Sequence, residues 1–250
     1  MQQQFAFDDY DLDRLTEVVA HFGQQKFGYV VTPNTDHMIR LHQEPSLRPL
    51  YDGADFMLLD SRFIALVLRT LRGVSLPVCT GSDLTARLFG KVIGPEDRVV
   101  LIGASDAQAR SLAQRYGLQH LEHYNPPMGF IRDPAEVERC LAFVEAHSPF
   151  RFCLMAVGAP QQEMLSRRLK DRGLARGLAL CIGASIDFLT GKETRAPQWM
   201  QQSGLEWLYR LAQNPRRLAY RYLVRGPRIF PLLGSATFML RRPQPLPATA

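Results

Sequence analysis

Continuous apolar runs alternate with amphipathic stretches along most of this chain. The runs predict strands at 27–32, 54–59, 98–102, 118–123, 152–157 and 178–182, with a short extended piece at 76–80. The stretches between them predict helices at 36–43, 61–71, 81–89, 106–116, 133–147 and 161–172. Uniformly apolar strands that alternate with helices are typical of a parallel sheet covered on both faces. We therefore predict an α/β protein with a Rossmann-like, doubly wound, mostly parallel sheet.

The residues that follow the apolar runs are the first candidates for a site, because ligands of such sheets bind beyond the carboxyl ends of the strands. Most of these residues are polar or glycine. They are Thr32–Asn34, Asp60–Ser61, Thr80–Asp83, Gly103–Ser105, Gly158–Glu163 and Gly183–Asp187. We expect a ligand pocket where these segments meet.

Asp60 ends one apolar run, where a carboxylate can take a proton from an attacking hydroxyl. Its alternative role is to cap the helix that follows, since Asp is a strongly preferred N-cap residue. Thr32 and Asn34 bring a hydroxyl and an amide to another strand end, and ordinary turn chemistry is their alternative role. Position alone leaves both roles open for all three residues.

Two turns of small residues precede predicted helices, Gly103-Ala104-Ser105 and Gly158-Ala159-Pro160. Such turns let backbone amides approach a phosphate, assisted by the helix dipole. Neither turn has GxGxxG or Walker spacing, so the nucleotide signal is weak and a nicotinamide-dependent oxidoreductase is disfavoured. Gln161, Gln162 and Glu163 follow the second turn and face either a ligand or the solvent.

The basic charge of the chain is concentrated at one end. An apolar fraction of 46% is enough for a core in 250 residues, and the net charge is +6. The segment 205–242 holds eight arginines and one acid and so carries +7, which leaves about −1 for the rest. This local excess predicts one anionic partner surface, and arginine favours forked binding of phosphates. We divide the chain into a catalytic domain at 1–200 and a C-terminal appendage at 201–250.

The arginine-rich appendage has a pattern of its own. A new helix is predicted to begin at Asn214-Pro215, a cap followed by a first-turn proline. Its arginines Arg217, Arg221 and Arg225 recur on one face at i, i+4 spacing. The apolar run 229–240 follows, bracketed by arginines and too short to span a bilayer. This favours contact with an anionic membrane surface, where each basic residue adds on the order of 1 kcal/mol. The alternatives are a core-packing helix with a solvated basic face and a nucleic-acid-binding helix.

The cysteines, the N-terminal segment and the histidines bear on the compartment of the protein and on its need for a metal. Four cysteines without CxxC spacing indicate buried free thiols in a reducing compartment. The acidic N-terminus does not resemble a signal peptide, and no apolar run reaches about 20 residues, so we expect a cytosolic protein. Asp11 and Asp13 are interpreted as the start of a solvated helix. The histidines lack metal-ligand spacing, so neither a metal nor another cofactor is expected.

Several sequence blocks, in this order, resemble the WecG/TagA/CpsF glycosyltransferase family, glycosyltransferase family 26. The resemblance runs from about Tyr29 to Leu223. The blocks that carry it are Thr80-Gly-Ser-Asp-Leu84, Gly158-Ala-Pro-Gln-Gln-Glu163, Gly183-Ala-Ser-Ile-Asp187, Gly191-Lys-Glu-Thr-Arg-Ala-Pro197, Gly204-Leu-Glu-Trp-Leu-Tyr-Arg210 and Pro215-Arg-Arg217. So many blocks in one order rarely arise by chance.

The resemblance implies an inverting hexosyltransferase. Family members move a hexose from a UDP-sugar to a lipid-diphosphate-linked sugar at the cytoplasmic face of the membrane, in exopolysaccharide or cell-surface polymer synthesis. N-acetylmannosamine, N-acetylmannosaminuronate and glucose all stay open as the hexose. The expected partners are the UDP-sugar, the lipid-linked acceptor and an anionic membrane surface, with no nucleic acid. A homo-oligomer is left open.

The resemblance also assigns expected catalytic residues. The family's base falls on Asp60. Its Thr-x-Asn pair falls on Thr32 and Asn34. Three departures put full activity in question: Ser61, Val78 and Gln161 replace the family's Gly, Arg and Lys. An inactive family member retained as a scaffold is therefore the alternative to an active transferase.

Expected substrate contacts follow from the same motifs. The family's substrate-contacting glutamine falls on Gln162, and the arginines thought to close over the diphosphate fall on Arg210, Arg217 and Arg221. The other expected contacts lie in the matched blocks and the small-residue turns. They are Gly81, Ser82, Asp83, Gly103, Ala104, Gly158, Pro160, Glu163 and Arg195.

Overall fold

The computed structural model describes residues 3–242 and contains one large parallel sheet. The strands of this range are β1 (Gln4–Asp8), β2 (Phe27–Val31), β3 (Phe56–Met57), β4 (Arg98–Gly103), β5 (His120–Tyr124), β6 (Phe152–Ala156), β7 (Gly177–Cys181) and β8 (Thr237–Arg241). Six of them form the sheet in the order β3-β2-β7-β6-β4-β5, and every neighbouring pair is parallel. β1 and β8 form a separate parallel pair.

Helices connect the strands of the sheet. They are α1 (Leu12–Ala20), α2 (Thr35–Gln43), α3 (Arg48–Asp52), α4 (Arg62–Arg72), α5 (Gly81–Lys91), α6 (Asp106–Tyr116), α7 (Pro134–Ala146), α8 (Gln161–Arg172), α9 (Ser185–Leu189), α10 (Gln198–Gln202), α11 (Glu206–Gln213), α12 (Pro215–Ala219) and α13 (Ile229–Ser235). Short 3-10 turns lie at Pro45–Leu47, Phe130–Arg132 and Gly226–Arg228, and a π-helical turn spans Tyr220–Arg225.

The sheet separates two hydrophobic cores. One core contains residues of α2, α4, α7, α8 and α13, such as Met38 and Leu169. The other contains residues of α1, α5 and α6, such as Leu15 and Leu88. Because β2 and β7 are buried along their whole length between these layers, they carry no polar alternation. The predicted doubly wound, Rossmann-like sheet is confirmed.

Side-chain caps start two helices close to the carboxyl edge of the sheet. Ser61 Oγ accepts a hydrogen bond from the N–H of Ile64 at 3.2 Å and begins α4. Thr80 Oγ1 accepts one from the N–H of Asp83 at 3.0 Å and begins α5. Each cap satisfies an N–H group that the first helical turn would otherwise leave unpaired. Asp60, one residue before Ser61, is therefore not needed as a cap.

Residues 4–8 and 237–241 form the small β1–β8 pair, which the sequence patterns did not predict. Phe5 and Phe7 of β1 are buried, and Phe5 stacks on Phe238 of β8 with ring centroids 5.7 Å apart. Asp8 accepts a hydrogen bond from Arg241 at 2.9 Å. Residues 237–241 of the arginine-rich appendage are thereby joined to residues 4–8.

Part of the apolar run 229–240 packs against the core, as in the core-packing alternative. Ile229, Leu232 and Leu233 of α13 are buried at 1–3% exposure. Arg72 Nη1 donates to the carbonyl oxygens of Leu233 at 2.8 Å and Ala236 at 2.6 Å, which fixes the end of α13 to α4. Phe230, Met239 and Leu240 of the same run are 42–51% exposed, so its contact with a membrane surface stays a prediction.

The arginine face predicted after Asn214-Pro215 is interrupted. α12 begins at Pro215 as predicted, but the Asn214 side chain makes no capping hydrogen bond. The π-helical turn Tyr220–Arg225 adds an extra residue per turn. Arg217 is therefore directed differently from Arg221 and Arg225. The division of the chain at residue 200 stays a prediction.

Candidate active site

A cavity of about 690 Å³ opens at the carboxyl ends of β2 and β7. Its inner wall comes from the strand ends and first helical turns, and its outer wall comes from 201–230. Among the expected site residues, those that line it are Thr32, Asn34, Asp60, Ser82, Gly158, Gln162, Arg210 and Arg221. The cavity thus brings together the predicted base and two of the arginines that were expected to close over the diphosphate. It lies at the edge of the sheet where ligands of doubly wound folds bind.

Asp60 contributes a carboxylate to the inner wall. Its Oδ2 accepts a hydrogen bond from the N–H of Gly81 at 3.2 Å, which orients it at the start of α5. Burial raises the pKa of Asp60 to about 6, and the carboxylates of Glu206 and Asp83 add to the rise. The Gly81 N–H and Arg210 act in the opposite direction. A carboxylate with a pKa near the ambient pH is suited to general-base chemistry.

Gly81 provides the space in which the inner-wall groups converge. A Cβ atom built on Gly81 would lie 3.0 Å from Thr32 Oγ1, 3.6 Å from Ser185 Oγ and 3.7 Å from Asp60 Oδ2. Ser82 Oγ lies 3.4 Å from Ser185 Oγ, within hydrogen-bond distance. Two hydroxyls and a carboxylate therefore surround one small volume, which a side chain at position 81 would fill.

Asn34 caps α2 and also faces the cavity. Its Oδ1 accepts from the N–H groups of Asp36 at 3.0 Å and His37 at 3.4 Å. Because the oxygen is committed to the cap, the NH₂ group is what Asn34 can offer a ligand. His37 Nδ1 lies 3.4 Å from the Asn34 N–H, and burial, with a further effect of Arg221, lowers the pKa of His37 to about 4. His37 is therefore neutral at physiological pH.

Arg210 and Arg221 form the cationic part of the outer wall. Arg210 lies over the Phe188 ring at 5.4 Å from its centroid and forms an ion pair with Glu193 at 3.8 Å. Arg221 pairs with Asp36 at 3.8 Å. Within residues 3–242, the Nε atoms of both arginines are buried without a hydrogen-bond acceptor. Buried N–H groups without acceptors are costly, so an incoming anion would stabilise this wall.

Arg217 does not line the cavity. Its Nη2 donates to Glu193 Oε1 at 2.9 Å, and its side chain is 58% exposed. Arg225, from the same face as Arg221, pairs with Asp36 at 3.4 Å. Two carboxylates that precede residue 201, Asp36 and Glu193, thus pair with four arginines of the segment 205–228. We call the segment 205–228 the arginine lid.

Asp83 and Arg195 belong to a network beside the cavity. Asp83 accepts hydrogen bonds from Arg62 at 2.7 Å and Arg195 at 2.6 Å. Burial opposes ionisation, but the two arginines outweigh it and hold the pKa of Asp83 below its ordinary value. Arg195 also lines a neighbouring cavity of about 320 Å³ that shares Ser82 with the larger one.

The remaining expected contacts lie away from the walls of the large cavity. Gly103 and Ala104 follow β4 and are not among the lining residues, and the Gly103 carbonyl oxygen lies 2.9 Å from His123 Nε2. Pro160 precedes α8 without lining the cavity, and Glu163 is buried behind Gln162. Ala104 has a φ of 64°, which a residue with a side chain seldom adopts.

Sequence reasoning missed several charged residues of the site. Arg62 and Glu206 line the cavity, while Asp36 and Glu193 pair with the lid arginines. The available signals were that Asp36 lies two residues after Asn34, and that Glu193 and Glu206 lie in matched blocks. Which arginine each carboxylate meets is a tertiary contact, and no spacing along the chain encodes it.

The described residues show neither a metal cluster nor a membrane-spanning helix. Residues 3–242 contain no group of three or more His, Cys, Asp or Glu side chains arranged to hold a metal ion. Every helix in this range is too short or too polar to cross a bilayer. All four cysteines are buried and free, as predicted.

A poised carboxylate opposite arginines, at the strand ends of a doubly wound sheet, is suited to transfer of a group from an anionic donor. Comparison with known proteins identifies this class as glycosyltransferases. The model of the glycosyl transferase WecG/TagA/CpsF family matches residues 3–243, and the chain belongs to this family. The resemblance seen in the sequence blocks is thereby confirmed, and the protein is a glycosyltransferase.

One relative carries a specific description. It is the N-acetylglucosaminyldiphosphoundecaprenol N-acetyl-beta-D-mannosaminyltransferase of Bacillus spizizenii. It is 27% identical over 216 residues, which are 84% of this chain and 82% of the relative. The match therefore includes most of both proteins.

Proposed function

We propose that this enzyme transfers a hexose from a UDP-sugar to a lipid-diphosphate-linked sugar with inversion at the anomeric carbon. The hexose is N-acetylmannosamine, N-acetylmannosaminuronate or glucose, and the product belongs to an exopolysaccharide or cell-surface polymer. The observation that carries this proposal is that Asp60 and the lid arginines Arg210 and Arg221 line one cavity. The relative's description, a transferase acting on a diphospholipid-linked N-acetylglucosamine, supports it.

Asp60 is the proposed base. Its carboxylate accepts the proton of the acceptor hydroxyl as the hydroxyl oxygen bonds to the anomeric carbon and the bond from that carbon to UDP breaks. Thr32 and Asn34 hold the reacting sugars through a hydroxyl and an NH₂ group beside Asp60. A positioned general base contributes about 10²–10⁴ in rate. With a pKa of about 6, Asp60 is largely ionised at neutral pH and ready to act.

The arginines stabilise the leaving diphosphate. As the bond to the anomeric carbon breaks, negative charge grows on UDP, and Arg210 and Arg221 lie on the opposite wall from Asp60. Their unpaired Nε–H groups are the available donors. No step of this account needs a metal, and metal independence stays a prediction.

The rim of the cavity suits a lipid-linked acceptor. Phe63 and Phe230 meet edge to face with centroids 6.2 Å apart, and both line the cavity. Phe230 is 51% exposed and Leu223 is 57% exposed, beside basic Arg225. An apolar rim next to arginines favours approach from an anionic membrane surface. We propose that the enzyme acts there as a peripheral protein on the cytoplasmic face.

A transfer assay tests this function. Purified protein is incubated with a panel of UDP-sugars and a lipid-diphosphate-linked N-acetylglucosamine, and products are read by mass. We expect one hexose to be added and UDP to be released, without added divalent metal and in the presence of a chelator. If no donor is consumed with any acceptor while UDP still binds, the protein is an inactive scaffold. That is the alternative suggested by the departures from the family pattern at Ser61, Val78 and Gln161.

A further inference from the structure

Two consecutive polar residues at the start of α8, Gln162 and Glu163, are almost fully buried. They are 2% and 1% exposed, respectively. Gln162 lines the large cavity, whereas Glu163 does not. A buried carboxylate is costly unless its hydrogen bonds compensate, so its place behind a cavity residue calls for a physical reason.

The contacts of Gln162 supply that reason. The N–H of Gly183 donates to Gln162 Oε1 at 3.0 Å. Gln162 Nε2 donates to Glu163 Oε1 at 2.8 Å. An amide side chain can turn over and exchange its oxygen and nitrogen ends, and these two contacts both select the same orientation. The amide nitrogen carries two N–H groups, so one is left for a ligand in the cavity.

The surroundings of Glu163 determine its charge. Burial raises the pKa of Glu163 to about 7, against the opposing effects of Gln162, Arg40 of α2 and Tyr51 of α3. Cys181 at the end of β7 also interacts with this carboxyl, and burial raises the pKa values of Cys181 and Tyr51 well above their ordinary values. Of the three acidic groups in this cluster, Glu163 is the one that changes charge near neutrality.

We propose that Glu163 is a positioning residue, whose carboxylate holds the Gln162 amide so that its second N–H faces the anionic donor. This rests on the proposed function, since it assigns the donor to the wall formed by Gln162. A protonated Glu163 presents an O–H that competes with the Gly183 N–H for Gln162 Oε1, so the orientation is less strictly selected. The effect on the reaction is indirect, through Gln162.

A double-mutant cycle in the full-length protein tests the proposal. Glu163→Leu removes the acceptor at similar size, and Gln162→Leu removes the amide. Because each variant loses one hydrogen bond in a chain that holds the donor, it should raise the donor KM about tenfold, or about 1.4 kcal/mol, and change kcat less than threefold. The double variant should resemble Gln162→Leu alone, since Glu163 acts only through the amide. If the rise in donor KM of the double variant equals the product of the two single-variant rises, the proposal is overturned.

Glu163→Gln is the matched variant that mimics the protonated carboxyl, because it has an acceptor and an N–H donor but no charge. Its donor KM should equal that of the wild type well below pH 7, and it should melt at a similar temperature. The wild-type donor KM should rise as the pH falls through about 7, and this step should be absent in Glu163→Gln. A step that persists in that variant, or a donor KM at about pH 8 equal to that of the wild type, would contradict the assignment.

The same data separate this proposal from the function it rests on. A wild-type protein that transfers no hexose removes the proposed function, whatever Glu163 does. A wild-type protein that transfers normally, with Glu163→Leu unchanged in donor KM and in affinity for UDP measured by calorimetry, removes the positioning role alone.

Discussion

The two walls of the cavity are built by different means. The inner wall consists of strand ends and capped first turns, and its Asp60 is held by a backbone N–H of α5. The arginine lid, residues 205–228, is held over the cavity largely by ion pairs with Asp36 and Glu193. A group fixed by the backbone keeps its geometry, whereas a group held by ion pairs can exchange its partner for a ligand.

The weakness of the lid contacts agrees with such an exchange. The Arg217 side chain is 58% exposed and that of Arg221 is 37% exposed. Exposed ion pairs contribute only about 0–1 kcal/mol each. A diphosphate carries more charge than one carboxylate, so it can displace Asp36 and Glu193. The comparison therefore predicts a rigid base and an exchangeable cationic wall.

The largest effect should come from the inner wall. Asp60→Asn removes the base and should lower kcat about 1000-fold, in the range expected for loss of a general base. UDP affinity should change little, because Asp60 acts on the acceptor. Transfer kinetics and calorimetry check both statements, with Asp171→Asn on the outer surface of α8 as the control. Near-normal turnover by Asp60→Asn would remove Asp60 from the chemistry.

The lid should contribute a smaller effect. Arg221→Ala should lower kcat about 100-fold, since it removes one charge that stabilises the departing diphosphate. Arg216→Ala is the matched control, because Arg216 is exposed and does not line the cavity. Equal losses in both variants would show that general basicity, and not the position of Arg221, matters.

The pH dependence sharpens the assignment of the base. The kcat/KM for the acceptor, at saturating donor, should rise with pH through about 6, since Asp60 must be ionised to accept a proton. At about one pH unit below the pKa of Asp60, kcat/KM should be roughly tenfold lower than its value at high pH. Glu163→Gln should leave this step in place. A flat profile between pH 5 and 7 would contradict the role of Asp60.

The smallest effect should come from loosening the lid without touching the base. Asp36→Asn removes the partner of Arg221 and Arg225, so the segment 216–228 should be cut by trypsin about threefold faster in the free protein. Saturating UDP should restore the protection. Asp52→Asn, whose carboxylate is exposed and pairs with Arg48, is the control. No change in cleavage would mean that the lid does not depend on this pair.

Much of the fold follows from local patterns in the sequence. Uniformly apolar strands such as 98–102 and caps such as Ser61 are properties of neighbouring residues, and both were predicted correctly. The β1–β8 pair was not predicted, because its two strands lie more than 200 residues apart in the sequence and, within residues 3–242, pair only with each other. The run 229–240 could not be assigned from its pattern, because a short apolar segment fits a core and a membrane surface equally well. Ile229 is buried, whereas Phe230 is exposed.

The candidate site divides in the same way. Asp60, Thr32 and Gln162 could be named because strand ends in a parallel sheet share one edge. The separation of Arg217 from Arg221 could not be foreseen, because it depends on the π-helical turn and on Glu193. Glu163 was an expected substrate contact, yet it is buried behind Gln162. The direction in which a side chain leaves α8 decides whether it reaches the cavity, and the sequence does not give that direction.

Hydrogen exchange with and without UDP tests most directly whether both walls meet around one anion. The free protein and the UDP complex are compared by mass spectrometry over all peptides. We predict that UDP slows exchange in the first turns of α5 and α8 and, by a larger factor, in the arginine lid at 205–228. Slower exchange at the inner wall with an unchanged lid would contradict the account.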